Sequence, residues 1–205
     1  HELIAQYSAG QLQAAGEEST TKQAHAVYFL GLAESYLPRL QSADQRNALA
    51  DLNLDIDNLR GAWNWAVAHA LVQPMQAAAW ALGYFLDMRN MYREEATLFL
   101  RAEQALQTLQ ASKGASDPAQ EVALGQMRTW RAFAGFRLGQ VEEGRRLLRD
   151  SLPVFRCYGA QAELADALWV YGLLGWLSGE FSDAAQALQE SLALAGPKFM
   201  QVFDL

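Results

Sequence analysis

The sequence predicts an all-α fold, a right-handed solenoid of about nine helices packed as antiparallel pairs. Three observations predict it. Ala, Leu, Gln, Glu and Arg dominate while Ile and Val are few, a composition that favours helix over strand. Apolar residues recur at three- and four-residue spacing almost throughout, interrupted only by short turns. The third observation is an internal repeat. Shifting 131–154 by forty residues lays "RAFAGFRLGQVEEGRRLLRDSLPV" over "YGLLGWLSGEFSDAAQALQESLAL". Gly135 then meets Gly175, Gly139 meets Gly179, Leu148 meets Leu188, and Ser151-Leu152 meets Ser191-Leu192. Each unit is a helix, a glycine turn and a second helix, which must stack on neighbours to bury its apolar face.

Helices are expected over 2–15 and 19–40, with a break at "GEEST" (16–20) and another at "QSAD" (41–44). The next, 43–70, contains "DLNLDIDNLRGAWNW" (51–65), which admits three readings. Asp51, Asn53, Asp55 and Asp57 have the alternate spacing of a calcium loop, but Ile56 and Ala62 stand where such a loop needs Gly and Glu. Strand alternation stops at Asn58. On a helix, Leu52, Ile56, Leu59 and Trp63 share one face and Leu54 falls off it, so helix is the reading adopted. Helices over 73–89 and 91–112 follow, then "KGASDP" (113–118), with Pro118 suited to the first turn of a helix over 118–138. Three more, 140–157, 160–178 and 180–195, are punctuated by glycines at 139, 159, 179 and 196. Gly159 and Gly196 suit the residue just past a helix end. The first helix of each repeat carries a small residue, Ala132 or Gly172, where paired helices can approach closely.

Composition also excludes. A net charge of −7 argues against a nucleic-acid-binding surface, which needs a basic face. The longest apolar run, "ALWVYGLLGWLSG" (167–179), is thirteen residues, against the roughly 20 of a membrane-spanning helix. A single cysteine, Cys157, precludes an internal disulfide and fits a reducing cytoplasm, and it is expected to be a small buried thiol. His1, His25 and His69 show no metal-ligand spacing. Ser151 and Ser191 recur at one repeat position, which points to packing rather than catalysis. Glu94–Glu95 and Glu142–Glu143 are adjacent and so face no common point, and they are expected to be solvated. No constellation for acid–base or nucleophilic catalysis emerges, and neither cofactor nor metal is expected. The chain reads as a piece of a larger protein, starting at His1 without a signal peptide and stopping at "KFMQVFDL", where an apolar segment has barely begun.

Two features carry binding hypotheses. Arg128, Arg131, Arg137, Arg145, Arg146, Arg149 and Arg156 cluster against only Glu142, Glu143 and Asp150. They form either a basic patch for an anionic ligand or partner face, or a solvated surface laced with ion pairs. The repeat frame also places Trp80, Thr129 and Trp169 at one groove-facing position of the first helices. Tyr84, Phe133 and Leu173 take the next, and Asp87, Phe136 and Trp176 a third. These aromatics are either a concave ligand surface, with Arg137 beside it, or inter-repeat core.

The repeat resembles the tetratricopeptide repeat. Gly172 falls at its small-residue position, Gly179 at its turn and Ala184 at the small position of its second helix, although Gly175 stands where an aromatic is usual. The spacing is forty rather than about thirty-four. A weaker unit occupies 78–106, with Asn90 where the turn glycine would be. In motif order the chain is similar to the helical arm of large bacterial STAND ATPase transcriptional regulators: "HELIAQYSAGQL" (1–12), "HAVYFLGLAE" (25–34), "LDIDNLRGAWNWAV" (54–67), "RDSLPVFRCYGAQAELADAL" (149–168) and "LQESLALAG" (188–196). This resemblance implies a closing helix or connector of a winged-helix region over 1–18, first helical pairs over 19–70, and tetratricopeptide-like repeats over 71–205, the last truncated. It also implies a non-catalytic sensor arm. Its partners would be the regulator's own nucleotide-binding and winged-helix domains and an effector, whether peptide, protein or small molecule, with no direct contact to nucleic acid or membrane. No G-x-x-x-x-G-K-[ST] loop occurs in the chain. A passive scaffold docking a protein in the groove is the alternative.

Overall fold

A computed structural model describes residues 2–113 and 117–195 and is helical almost throughout, with no strand among these residues. Ten helices follow in order: α1 (Glu2–Ala15), α2 (Glu18–Leu40), α3 (Gln45–Leu54), α4 (Ile56–Ala68), α5 (Val72–Met88), α6 (Tyr92–Lys113), α7 (Pro118–Arg137), α8 (Val141–Tyr158), α9 (Gln161–Leu177) and α10 (Phe181–Ala195). No helix is long and apolar enough to cross a membrane. Gly196 and "KFMQVFDL" lie outside the described residues.

The tenth helix arises because the expected helix over 43–70 divides at Asp55. That residue leaves helical geometry (φ −105°, ψ 14°), and its carboxylate accepts from Asn58 Nδ2 at 2.9 Å. A short acid that bonds its own neighbourhood competes with the helical ladder. The apolar face continues across the break: Leu52, Leu59 and Trp63 are buried and Ile56 half-buried, while Leu54 is 84% exposed.

Six of the other turns follow one plan. Gly16, Ala70, Asn90, Gly139, Gly159 and Gly179 all have positive φ. In each case the next residue donates its N–H to the carbonyl five positions back, as in Gln140 to Gly135 (2.7 Å) and Glu180 to Gly175 (2.9 Å). This is the Schellman closure, which satisfies carbonyls the helix end would leave bare. Asn90 therefore does take the place of the turn glycine, as asparagine tolerates the left-handed region best after glycine. At α7, Asp117 accepts from the Ala119 N–H at 3.0 Å and Pro118 occupies the first turn.

In the second half, α5 packs on α7 and α7 on α9, while α6, α8 and α10 lie against α7, α7 with α9, and α9 respectively. Towards the N-terminus, α2 packs on α4 and α5. Glycines set the approach distances. A Cβ on Gly83 would lie 2.4 Å from the Trp130 ring, one on Gly125 2.6 Å from Phe155, and one on Gly172 2.5 Å from Leu188. The expected small-residue contacts are present: Gly144 comes against the Ala132 backbone in α7–α8, and Gly172 against that of Ala184 in α9–α10. Ser151 and Ser191 are buried, donating to the Leu147 carbonyl (2.8 Å) and the Ala165 carbonyl (2.7 Å).

Cys157 corrects the expectation of a buried thiol, for it is exposed. The buried stripe of α8 runs Gly144, Leu148, Ser151, Leu152, Phe155, and Cys157 lies out of phase with it. Helical phase outweighs the residue's general preference for burial.

Candidate functional site

Side chains from α5, α7 and α9 meet over one face of α7. An aromatic chain runs through it: Phe99 stacks on Trp130 (5.9 Å between ring centres), and Trp130 meets Trp80 (5.0 Å) and Phe133 (5.8 Å) edge to face. Phe133 in turn meets Trp169 at 5.3 Å. Trp130 and Phe133 are buried, whereas Trp80 and Trp169 are half-buried. One edge of the aromatic set is thus core, and the other forms the wall of a cleft.

That cleft is a slot of about 340 Å³ with its open mouth included, narrowing so that only about 20 Å³ is deep enough to seat a water molecule. Trp80, Thr129 and Trp169, the three residues expected at the first groove-facing position, all line it together with Phe133. Gln126, Trp130, Glu163, Asp166 and Val170 complete it. Trp80 Nε1 donates to Asp166 Oδ2, joining α5 to α9 across α7. Burial pushes the Asp166 carboxyl up to about 7; the indole hydrogen bond works against this and Glu163 adds to it. Gln126 is 8% exposed and its Oε1 is buried without a partner. The Thr129 hydroxyl donates to the Gly125 carbonyl at 3.0 Å.

Sequence reasoning missed Gln126, Asp166 and Glu163. The signal was within reach: Gln126 and Asp166 lie three residues before Thr129 and Trp169, one helical turn along the same face.

Other expected groove residues are placed differently. Tyr84 is half-buried, its hydroxyl accepting from Gln45 Nε2 at 2.9 Å, and burial raises its pKa. Phe136 stacks on Phe133 at 6.0 Å. Arg137 makes a two-pronged bond to buried Asp87 (2.8 and 2.9 Å) and lies over Tyr92, Phe133 and Phe136. Its guanidinium is thus held by Asp87, with the side chain 34% exposed. Trp176 is 61% exposed near the start of α10, apart from the slot.

The basic patch resolves into ion pairs. Arg128 and Arg131 converge on Glu103 of α6, whose side chain is 5% exposed, and Arg131 also reaches Glu143. Arg145 is buried against Glu180 and the Tyr171 ring, Arg146 pairs with Glu143 and Asp150, and Arg156 pairs with Glu190. Among the described residues Arg149 alone of the seven is exposed without a carboxylate partner. The expected solvation of the acidic pairs fails at one place. Glu94 grips Arg60 (2.6 and 2.8 Å), but Glu95 is fully buried with neither carboxyl oxygen bonded.

No protein-family model matches the chain, and neither curated proteins nor solved structures return a match. The class that fold and site define is an all-helical protein of packed helix pairs with an aromatic, acid-lined slot over α7.

Proposed function

We propose that this chain is the non-catalytic sensor and interaction arm of a STAND-type transcriptional regulator, a right-handed tetratricopeptide-like solenoid that binds an effector or the regulator's own ATPase domain. One observation carries the reading. Trp80 and Asp166 bond across α7, although the two helices flanking a third lie roughly 16–20 Å apart in a flat layer. The layer α5, α7, α9 is therefore cupped on this side, where solenoids of this kind bind ligands. The shared turn geometry at Asn90, Gly139 and Gly179 supports the repeat. A ligand seated between α5 and α9 acts as a switch by preferring one curvature of the arm, since equal affinity for both shifts nothing.

A second reading, a passive scaffold for a protein partner, is favoured by exposed Trp176, Leu177 and Phe181 at the α9–α10 turn. The full gene decides between them. A phosphate-binding loop upstream and a DNA-binding segment support the regulator, and their absence favours the scaffold. Hydrolytic turnover by the isolated chain overturns both.

A further inference from the structure

We infer that the slot over α7 takes the head of a small organic cation, a protonated alkylamine whose N–H groups bond Asp166, Glu163 and Gln126 while its stem lies between Trp80 and Trp169. This deepens the proposed sensor role by naming a ligand class, and it rests on the slot being a ligand surface.

Three features of the slot agree. Its walls are indole and phenyl rings, whose faces attract cations. Its polar atoms are acceptors still short of donors. Among the described residues Asp166 receives the Trp80 N–H alone, Gln126 Oε1 is buried with no donor, and no ion pair reaches Glu163. The Thr129 hydroxyl has already given its proton to the Gly125 carbonyl. Lastly, among the described residues no Lys, Arg or His lines the slot, so two carboxyl groups face it without a counter-charge from them. A buried carboxylate without a cation is costly; buried Asp87 and Glu103 each hold an arginine, and Glu95, which bonds none, does not line the slot.

The narrow floor selects the head group. Space for little more than one water admits a primary ammonium and excludes a trimethylated one, which also lacks the N–H donors that Gln126 and Asp166 require. Binding is linked to pH through Asp166. Glu163 is the charged group facing it from α9; the α5 wall brings Trp80 and the α7 wall brings Gln126, Thr129, Trp130 and Phe133, none of them charged. Burial holds the Asp166 proton up to about 7, so the cation must displace that proton at lower pH and binds more weakly there.

The test is a tryptophan-fluorescence titration of the 205-residue chain at about pH 8, above the Asp166 transition. The probes are n-butylammonium, ethylguanidinium, tetramethylammonium and n-butanol. Butylammonium is expected to saturate, with tetramethylammonium and butanol weaker by about tenfold or more, the worth of one charge-assisted hydrogen bond. Asp166→Asn and Glu163→Gln should each weaken butylammonium severalfold, with thermal melts showing both variants folded. Affinity should fall as pH drops below about 7. Tighter binding of ethylguanidinium overturns the alkylammonium assignment, as does a response unchanged in both carboxyl variants or flat with pH. If butanol binds as well as butylammonium, the cation inference fails and the ligand surface stands. If no probe binds and Trp169→Ala collapses the fold, the rings are core and both readings fall.

Discussion

Glu95 carries a carboxyl group with zero exposure, no hydrogen-bond partner and Asp87 nearby, conditions that favour the neutral acid. Burial first, then Asp87, raises its pKa to about 9, with Arg137 pulling the other way. The folded chain therefore holds this proton where the unfolded chain, at the ordinary 4.5, has released it. More protons bound in the folded state means that stability falls as pH rises from about 4.5 towards 9. Asp166 adds to the lower part of that window, from 3.8 to about 7. Asp44 and Glu143, lowered by Arg39 and Arg146, oppose this only in more acidic solution. Glu95→Gln should flatten the decline, melting higher than the parent near pH 8–9 and close to it at pH 5, as thermal scans across that range will show. At Trp169 the outcomes also separate. Truncating the half-buried ring at the slot's edge should leave the melting temperature nearly unchanged, while a fully packed ring would cost roughly 3–5 kcal/mol. Phe133→Ala, at 7% exposure, is the matched core control and should pay that larger cost.

At the scale of the element, helix ends and helix contacts are set by single small residues. Ala70 adopts φ 48° at a position where four of the other five turns use glycine. Ala70→Gly should therefore stabilise the α4–α5 turn by up to about 1 kcal/mol, and Gly139→Ala should cost about as much at α7–α8, both readable in urea melts. Gly83→Ala should be harsher, about 1–3 kcal/mol, because the new methyl meets the rigid Trp130 ring at 2.4 Å. The glycine and asparagine turns were legible in the sequence, since those residues announce a left-handed residue whatever surrounds them, whereas the left-handed Ala70 carries no such mark. The break at Asp55 was not, because Leu52, Ile56, Leu59 and Trp63 keep helical spacing straight through it. Nor was the burial of Glu95. It stands at the repeat position held by Gly144 and Ala184, and a charged residue beside Glu94 reads as solvent-facing until its helix is packed. The slot was half legible: the frame found Trp80, Thr129 and Trp169, but a search for aromatics passed over the polar Gln126 and Asp166 one turn away on the same face.

Across the whole molecule, contacts run between helices close in the chain, each second-half pair touching mainly its neighbours. Where contacts are this local, the ends should open before the middle. Amide exchange is expected to be fastest in α1 and α10 and slowest in α7, which packs on α5, α6, α8 and α9. Uniform protection from end to end would contradict that. Among the described residues one side-chain bond reaches past this local pattern. Trp80 and Asp166 are 86 residues apart, and α7 must be seated between their helices before they can meet. Loop closure over that separation offers little reward until the intervening helices have docked. The indole–carboxyl contact is therefore a late event in folding and an early loss in unfolding, a clasp that closes only when three successive helices are in register. The Trp80 emission thus becomes a built-in clock hand for the final step of assembly.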